Sequence, residues 1–297
     1  MILSIIIPSY NAQKNINACL HSIEKQKDDQ LEVIVVDCSP HDQVMMICNQ
    51  YNFVKYIKVE KRFNPGEGRN IGAKLSVSDY LVFIDSDVVL ANNAIINIRD
   101  SIYSGKEVFG AALEINKTIN DSFSGRVEHY YFNHESQSSR QIKKRNNLSS
   151  AFMIIKKELF LKFNGFSDIP RMQDTELTER LAESGIDLYF VPDIIGYQIQ
   201  DSPIKSVLNK IKITGNNLFF IRYSKKINTK FKRLYFSLLL PLMMIAKITR
   251  INFRNIRYSF SFSMLFIYSP FMYVCGFYWM LGFYRALFIS DGIATGR

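Results

Sequence analysis

Over the first hundred residues, apolar positions fall in short β-branched runs separated by stretches of helical spacing. Strands are predicted at 3–10 (LSIIIPSY), 31–39 (LEVIVVDCS), 54–60 (VKYIKVE) and 79–87 (DYLVFIDSD). Residues 13–26, 41–51 and 67–76 lie between them and repeat apolar positions every three or four residues, which predicts helices. Strand–helix alternation implies βαβ units with right-handed crossovers, and so an α/β fold on a mostly parallel, Rossmann-like sheet flanked by helices. Ligands of such sheets bind outside the carboxyl ends of the strands. Three of these strands deliver polar residues to that edge: Ser9-Tyr10-Asn11, Asp37, and Asp85-Ser86-Asp87.

Beyond residue 115 the pattern changes. Residues 116–148 are polar with little periodicity and predict a long loop or loosely structured insertion. There the Lys143-Lys144-Arg145 run reads as a solvated loop, and His129 and His134 as surface residues. A strand and a short helix ending near Gly165 follow at 149–166. A helix is predicted over 172–185, with Asp174 in its first turn and Gly185 as its C-terminal cap. IDLYFVPD and IIGYQIQ read as two short strands. Residues 204–223 are helical and basic. The stretch 234–246 is uncharged but short and contains Pro241, whereas 258–284 is free of charge for long enough to cross a bilayer. Lys247, Arg250, Arg254 and Arg257 are expected in a loop between the two. If 234–246 spanned, that loop would lie outside, against the positive-inside tendency. The shorter segment is therefore expected in the membrane interface, with the basic loop cytoplasmic. The longer segment crosses once or dips in and returns; a buried helix pair in a soluble dimer is the alternative. The division expected is a catalytic domain over 1–203 and a membrane-attachment region over 204–297.

The net charge of +10 suggests nucleic acid only until it is divided along the chain. Residues 1–201 hold 22 Lys and Arg against 26 Asp and Glu, whereas residues 202–297 hold 15 against Asp291 alone. The positive charge thus coincides with the longest apolar runs and no nucleic-acid motif accompanies it, which favours an anionic membrane surface as partner. Cys19, Cys38, Cys48 and Cys275 show no CxxC pair or metal-site spacing and read as reduced thiols, with Cys38 serving packing. The opening MILSIIIPSYN reads as a strand rather than a leader, so the main domain is expected on the cytoplasmic face of the cell membrane.

Two aspartates one residue apart at a strand end suit a hard divalent cation, Mg²⁺ or Mn²⁺, with a phosphate-bearing ligand completing its shell. The glycine run 66–72 lacks GxGxxG spacing and no strand leads into it, so a dinucleotide-fold reading fails. It does place Arg69 and Asn70 on the helix that feeds the acidic strand, where Arg69 can pair with phosphate or a base carbonyl.

SIIIPSYN, EVIVVDCS, GEGRNIGAKLSVSDYLVFIDSDV and GFSDIPRMQDTELTERLAESG stand in the order and spacing that resemble family 2 glycosyltransferases of the GT-A fold, over about residues 2–200. The resemblance implies a nucleotide diphosphate sugar donor, UDP- or GDP-linked, and inversion at the anomeric carbon. It implies that Pro8, Ser9 and Tyr10 cradle the base, Asp37 meets its imide and Arg69 lies beside the nucleotide. Asp85 would face the ribose, with Ser86 beside it; Asp87, with Asp85, would serve the metal. Asp174 would be the general base on the acceptor hydroxyl. A base opposite the leaving diphosphate is what a single displacement needs, and a helix N-terminus keeps such a carboxylate ionised.

The chain departs from that family's pattern at three places: Cys38 where a second Asp is frequent, Gln173 where Glu often precedes the base, and Gln198 and Gln200 where many members carry a histidine. With no histidine there, metal binding is expected to rest on Asp87, phosphate and water. The basic, aromatic C-terminal third makes a lipid-linked oligosaccharide or glycolipid the expected acceptor. Direct transfer to polyprenyl phosphate is the enzymatic alternative, and a non-catalytic sugar-nucleotide-binding subunit of a membrane assembly is the alternative from another class.

Overall fold

The first strand, β1 (Leu3–Ser9), is buried along its whole length, as expected of a run flanked by strands and covered on both faces. The computed structural model describes residues 1–116, 121–289 and 292–294. Two compact units emerge. The first comprises Met1–Ile119, Ser136–Asp168 and Gln173–Ile199; the second comprises Asn120–Glu135, Ile169–Met172 and Gln200–Arg297.

The first unit is built on one sheet. In chain order it contains β1, α1 (Ile16–Glu24), β2 (Leu31–Asp37), α2 (Gln43–Cys48), β3 (Val54–Lys58), α3 (Pro65–Leu75), β4 (Tyr80–Ile84) and β5 (Val88–Leu90). After α4 (Ala94–Tyr103) and β6 (Val108–Ile115) the chain leaves this unit through α5 (Phe123–Phe132). It returns with β7 (Lys143–Arg145), β8 (Phe152–Lys156), α6 (Lys157–Lys162), α7 (Gln173–Glu183) and β9 (Leu188–Gln198). The spatial order is β3-β2-β1-β4-β8-β6-β9-β5, with β7 on β9. The first four strands pair in parallel, as the alternation predicts. Beyond them β8 runs antiparallel to both β4 and β6, while β6 and β9 are parallel.

Helix α3 is set by local chemistry. Pro65 fits its first turn, and the Asn64 side chain caps it by accepting from the Glu67 N–H at 3.0 Å. A Cβ on Gly72 would stand 2.4 Å from Ile6, so only glycine lets this helix lie so close to β1.

Several expectations for the middle of the chain need correction. The insertion 116–148 contains α5 and β7, and its residues 117–120 lie outside the described ones. Lys143–Arg145 is an edge strand on β9 rather than a loop. His129 is fully buried among the aromatic and aliphatic side chains of the second unit, not at the surface, and burial draws its pKa down to about 3. The two short strands predicted after Gly185 are one strand, β9, irregular where it passes Ala111 and Ala112.

The second unit packs α5 with α8 (Ile204–Leu218), α9 (Lys230–Tyr258) and α10 (Ser269–Phe288); π-helical turns at Phe219–Tyr223 and Met264–Tyr268 adjoin α8 and α10. Lys247, Arg250, Arg254 and Arg257 lie not in a loop but in the last third of α9. Pro241 leaves the Ser237 carbonyl without its helical donor. The Tyr284 hydroxyl of α10 donates to that oxygen at 2.9 Å, which lets the helix run through. Two helices in this unit, Lys230–Tyr258 and Met264–Phe288, are long and apolar enough to cross a membrane.

α8 and α10 meet through glycine. A Cβ on Gly282 would lie 1.8 Å from the Lys212 carbonyl oxygen, and one on Gly215 2.0 Å from that of Trp279. Backbone cannot retreat as a flexible side chain can, so Gly282→Ala is expected to destabilise this unit by about 1–3 kcal/mol. Chemical denaturation of the full chain checks this; an unchanged midpoint would mean that the helices separate at little cost.

Candidate functional site

The parallel strands β1, β2 and β4 end on one edge, bringing together Ser9-Tyr10, Asp37 and Asp85. Because β8 runs antiparallel to β4, its leading residues reach the same edge. The Asp85 N–H donates to the Ala151 carbonyl at 3.0 Å, and the N–H of Ser150 donates to Asp174 Oδ2 at 3.3 Å. One dipeptide therefore touches both the acidic turn and the first turn of α7. Asp174 also accepts from the Thr175 N–H at 2.8 Å through its other oxygen. Gln173 and Asp168 both bond to Asn64, the cap of α3, which ties the start of α7 to the helix carrying Arg69.

Asp85, Ser86 and Asp87 are half-buried in a turn closed by Val88 N–H to the Asp85 carbonyl at 3.0 Å. Arg69 is buried on α3, forms an ion pair with Asp85 and lays its guanidinium 5.5 Å from the Phe166 ring. Asp85 thus has its counter-charge built into the protein, as a desolvated carboxylate requires. Asp87 is held differently: the Gln198 side-chain nitrogen approaches its two oxygens at 3.4 and 3.3 Å, and its carbonyl accepts from Ile199 N–H at 2.8 Å. Beneath the pair the Cys19 thiol donates to the Asp85 carbonyl at 3.9 Å. Burial, and then the charges of Asp87 and Asp85, push its pKa upward, so it stays a neutral thiol.

The other end of the edge is a cavity of about 310 Å³ lined by Tyr10, Ser39, Asp42, Lys58, Glu60 and Arg62, among others. Arg62 lies over the exposed Tyr10 ring, 4.2 Å from its centroid. Asp37 is fully buried behind this cavity. Its oxygens accept from the Ser39 hydroxyl at 2.6 Å and the Tyr56 hydroxyl at 2.9 Å, with Lys58 3.9 Å away. Burial, and then the hydrogen bond to Asp37, raise the Tyr56 pKa, so the phenol stays a donor. Ser39, rather than Asp37, is the member of this pair that lines the cavity. Pro8 and Ser9 are buried in β1, and Cys38 is buried with its thiol on the Ser9 carbonyl at 3.8 Å. Among the described residues the Ser9 hydroxyl and Arg69 Nε are buried with no hydrogen-bond partner, polar groups of the kind a bound ligand or water completes.

Sequence reasoning missed Ser39, Tyr56, Arg62, Ser150 and the role of Gln198 as the partner of Asp87. The signal for Ser39 was available, since it follows Asp37 by two positions. Arg62 sits in a loop with no pattern of its own, and Ser150 acts only through its backbone.

No cluster of three or more His, Cys, Asp and Glu that could hold a metal occurs among the described residues. The residues present still fit an ion of the Mg²⁺ or Mn²⁺ type. Such ions take one or two carboxylates and leave the remaining positions to substrate phosphate and water. Asp87 is half-buried beside an amide whose other end, if turned over, is a further hard oxygen donor.

The fold has solved counterparts. A mannosyltransferase from Pyrobaculum calidifontis, solved in complex with GDP-Man and Mn2+, superposes with a TM-score of 0.65 at 15% identity, over 97% of this chain and 88% of that one. Residues 1–349 of S. aureus TarS in complex with UDP-GlcNAc give a TM-score of 0.55 at 16% identity, over 96% and 90%. These likenesses establish the shared GT-A fold. In sequence, an uncharacterized glycosyltransferase of Haemophilus influenzae is 28% identical over 228 residues, 74% of this chain and 76% of that protein. The glycosyltransferase GlyG of Streptococcus pneumoniae is 26% identical over 211 residues, 65% of this chain and 68% of its own length. The description that matches is Glycosyl transferase family 2, over residues 4–162. That span runs from β1 through α3 and the acidic turn to the end of α6, more than half the chain, and the chain therefore belongs to glycosyl transferase family 2.

Proposed function

We propose that the protein transfers a sugar from a nucleotide diphosphate sugar to an acceptor hydroxyl with inversion, and that the acceptor is linked to a membrane lipid. The observation that carries this reading is the strand edge on which the Arg69–Asp85 pair, Asp87 and Asp174 are tied together through Ser150 and Ala151. Solved neighbours in complex with UDP-GlcNAc and with GDP-Man support the donor class.

In this reading the base stacks at Tyr10, where Arg62 now lies, and Ser39 presents the hydroxyl that Asp37 and Tyr56 orient. Pro8 and Ser9 form the floor beneath it. Asp85, kept in place by Arg69, faces the ribose together with Ser86. Asp87, with Asp85 beside it, would hold Mg²⁺ or Mn²⁺. The ion's contribution when bound is to offset charge on the departing diphosphate. Asp174 takes the proton of the acceptor hydroxyl as oxygen attacks the anomeric carbon and the carbon–phosphate-oxygen bond breaks.

Residues 204–297 serve attachment in this proposal. On α9, Phe231, Leu234, Leu238, Leu242 and Ile245 follow one another at intervals of three and four and are all well exposed. They form a single apolar stripe of the kind that beds into a bilayer interface, on the cytoplasmic face where nucleotide sugars are supplied.

Thermal unfolding of the full chain in detergent, with a panel of nucleotides and sugar nucleotides and Mg²⁺ or Mn²⁺, tests the donor class. A ligand at a hundredfold excess over its Kd adds about 2.7 kcal/mol to stability, roughly 5–10 °C in the transition of a unit of this size. A shift by UDP- or GDP-linked sugars is expected. No shift by any of the panel would overturn the proposal.

A further inference from the structure

The two long helices of the second unit run side by side as an antiparallel hairpin. The Arg233 guanidinium of α9 donates to the Leu287 carbonyl of α10 at 3.0 Å, and towards the other end the Asn252 amide donates to the Ser269 carbonyl at 2.9 Å. Between these contacts the hydroxyls of Thr249 and Tyr273 meet at 2.9 Å, both at the surface. Thr249 continues the apolar stripe of α9 four residues beyond Ile245. Tyr273 belongs to a second stripe on α10, where Val274, Phe277 and Phe288 are also exposed. The hydrogen bond therefore joins the two stripes into one apolar face two helices wide. A contiguous face of this kind marks an interaction surface.

What packs behind the hairpin decides how such a surface can be used. α8 lies along α10 with the backbones in contact at Gly215 and Gly282, and it carries Lys205, Lys210 and Lys212. Lys205 is exposed, and Lys210 pairs with Glu128 of α5 at 2.7 Å. A helix of this length needs nearly all of its residues to cross the roughly 30 Å of hydrocarbon. A crossing α10 would therefore take α8 and its lysines in beside it, and charged side chains at that depth are costly. Lying in the membrane plane, the hairpin buries its apolar face alone and leaves α8 and α5 in water.

The border of the face carries one sign of charge. Lys232, Arg250 and Arg257 are exposed on α9. They are separated by about five and about two helical turns, so they stand in one row, about a quarter-turn round from the apolar stripe. Basic side chains so placed lay their stems on the apolar edge and reach lipid headgroups with their charges. Asp291 is the single acidic residue of 202–297. A second copy of the chain would thus bring like charge to like, whereas an anionic leaflet complements the row.

We infer that α9 and α10 lie in the plane of an anionic phospholipid leaflet, docked by their shared apolar face, and that neither helix crosses it. This rests on the attachment role proposed above for residues 204–297, to which it adds an orientation and a lipid class.

Flotation of the full chain, diluted from detergent onto preformed vesicles, tests it. Vesicles of phosphatidylcholine alone are compared with vesicles that also contain phosphatidylglycerol. The chain is expected to float with the anionic vesicles and to partition about tenfold or more less strongly to the neutral ones, with the difference shrinking as salt is raised. Leu238→Glu, a change at an exposed position, should weaken partition to both about tenfold or more. Arg250→Ala combined with Arg257→Ala should weaken partition to the anionic vesicles about twentyfold, at about fivefold for each basic residue, and leave the neutral ones unaffected. Ser259, exposed between the two helices, reports on crossing, because the four native cysteines are buried. A membrane-impermeant maleimide added outside the vesicles should label bound Ser259→Cys as fast as bound Lys226→Cys, which is exposed ahead of α9. Protection of Ser259→Cys on floated protein would mean that the hairpin crosses, and equal partition to the two lipid mixtures would remove the anionic leaflet; either overturns the inference and leaves attachment standing. A chain that floats with neither mixture, or that light scattering shows as a detergent-free dimer, would overturn attachment and the inference together, while the thermal shift with sugar nucleotides still tests the donor class on its own.

Discussion

Asp174→Asn is expected to lower the rate of sugar transfer by about two to four orders of magnitude, the range over which a positioned general base acts, while nucleotide binding stays near wild type. The expectation rests on how the carboxylate is held. Each oxygen accepts one backbone N–H, from Thr175 and from Ser150, and among the described residues neither is committed to a cation in an ion pair. Such a carboxylate is oriented yet retains lone pairs for a proton. Asparagine keeps the shape and one acceptor oxygen, so the fold of α7 should survive, whereas its amide cannot take the acceptor's proton. The two N–H donors also explain why the effect should be confined to catalysis: one lies just before β8 and the other in α7, and neither lines the cavity beside Tyr10. Single-turnover transfer and nucleotide titration on the same preparation separate the two quantities. Undiminished turnover would remove Asp174 from the role of base and favour an acceptor that is already an anion. Loss of nucleotide affinity in parallel with rate would place Asp174 on the donor instead.

How far this site could be read in advance depended on whether a residue's role is local. β1, β2 and β4 were legible because both faces of each are buried, which leaves unbroken apolar runs. Their polar ends were legible because a parallel sheet gathers its carboxyl ends on one edge. The pairing of Arg69 with Asp85 was within reach because α3 leads directly into β4. The burial of Asp37 was not, because Tyr56 closes over it from β3 and Ser39 from the following turn. α5 was missed for a related reason. Its residues look polar and aromatic in sequence, yet Val127, His129, Tyr130 and Tyr131 are buried by side chains some eighty to one hundred and fifty positions later, and Asn255 donates to the Tyr130 carbonyl at 3.0 Å. Local periodicity carries no trace of such partners. The extent of α9 was misjudged at Pro241, where the donor that completes the Ser237 carbonyl comes from α10. Its basic last third then continues as helix, since lysine and arginine are good helix formers and a charged stretch need not be a loop.

Removal of the carboxylate charge at Asp87 should have the other large effect, and it should depend on metal. With wild-type protein, Mn²⁺ is expected to strengthen binding of the nucleotide diphosphate that stabilises the fold best. With Asp87→Asn that increment should largely vanish, while affinity measured in EDTA stays the same. Transfer should fall by about two to three orders of magnitude, in keeping with the several kcal/mol of charge stabilisation that a bound cation supplies to a leaving diphosphate. The surroundings explain why so much should rest on one carboxylate. Asp85 is engaged by Arg69, which lowers its value to a cation, and the strand that faces Asp87 offers the amide of Gln198 rather than an imidazole. An amide oxygen is a hard but uncharged donor, so it can add to a site but cannot replace the lost charge. Gln198→His would then be the informative companion: by adding a stronger ligand beside an intact Asp87, it should tighten Mn²⁺-dependent binding in the wild-type background and restore little of it in Asp87→Asn. Isothermal titration with and without Mn²⁺ reads both. An Mn²⁺ increment of the same size in wild type and Asp87→Asn would take Asp87 out of the ion's coordination and leave it a structural partner of Gln198 at the sheet edge.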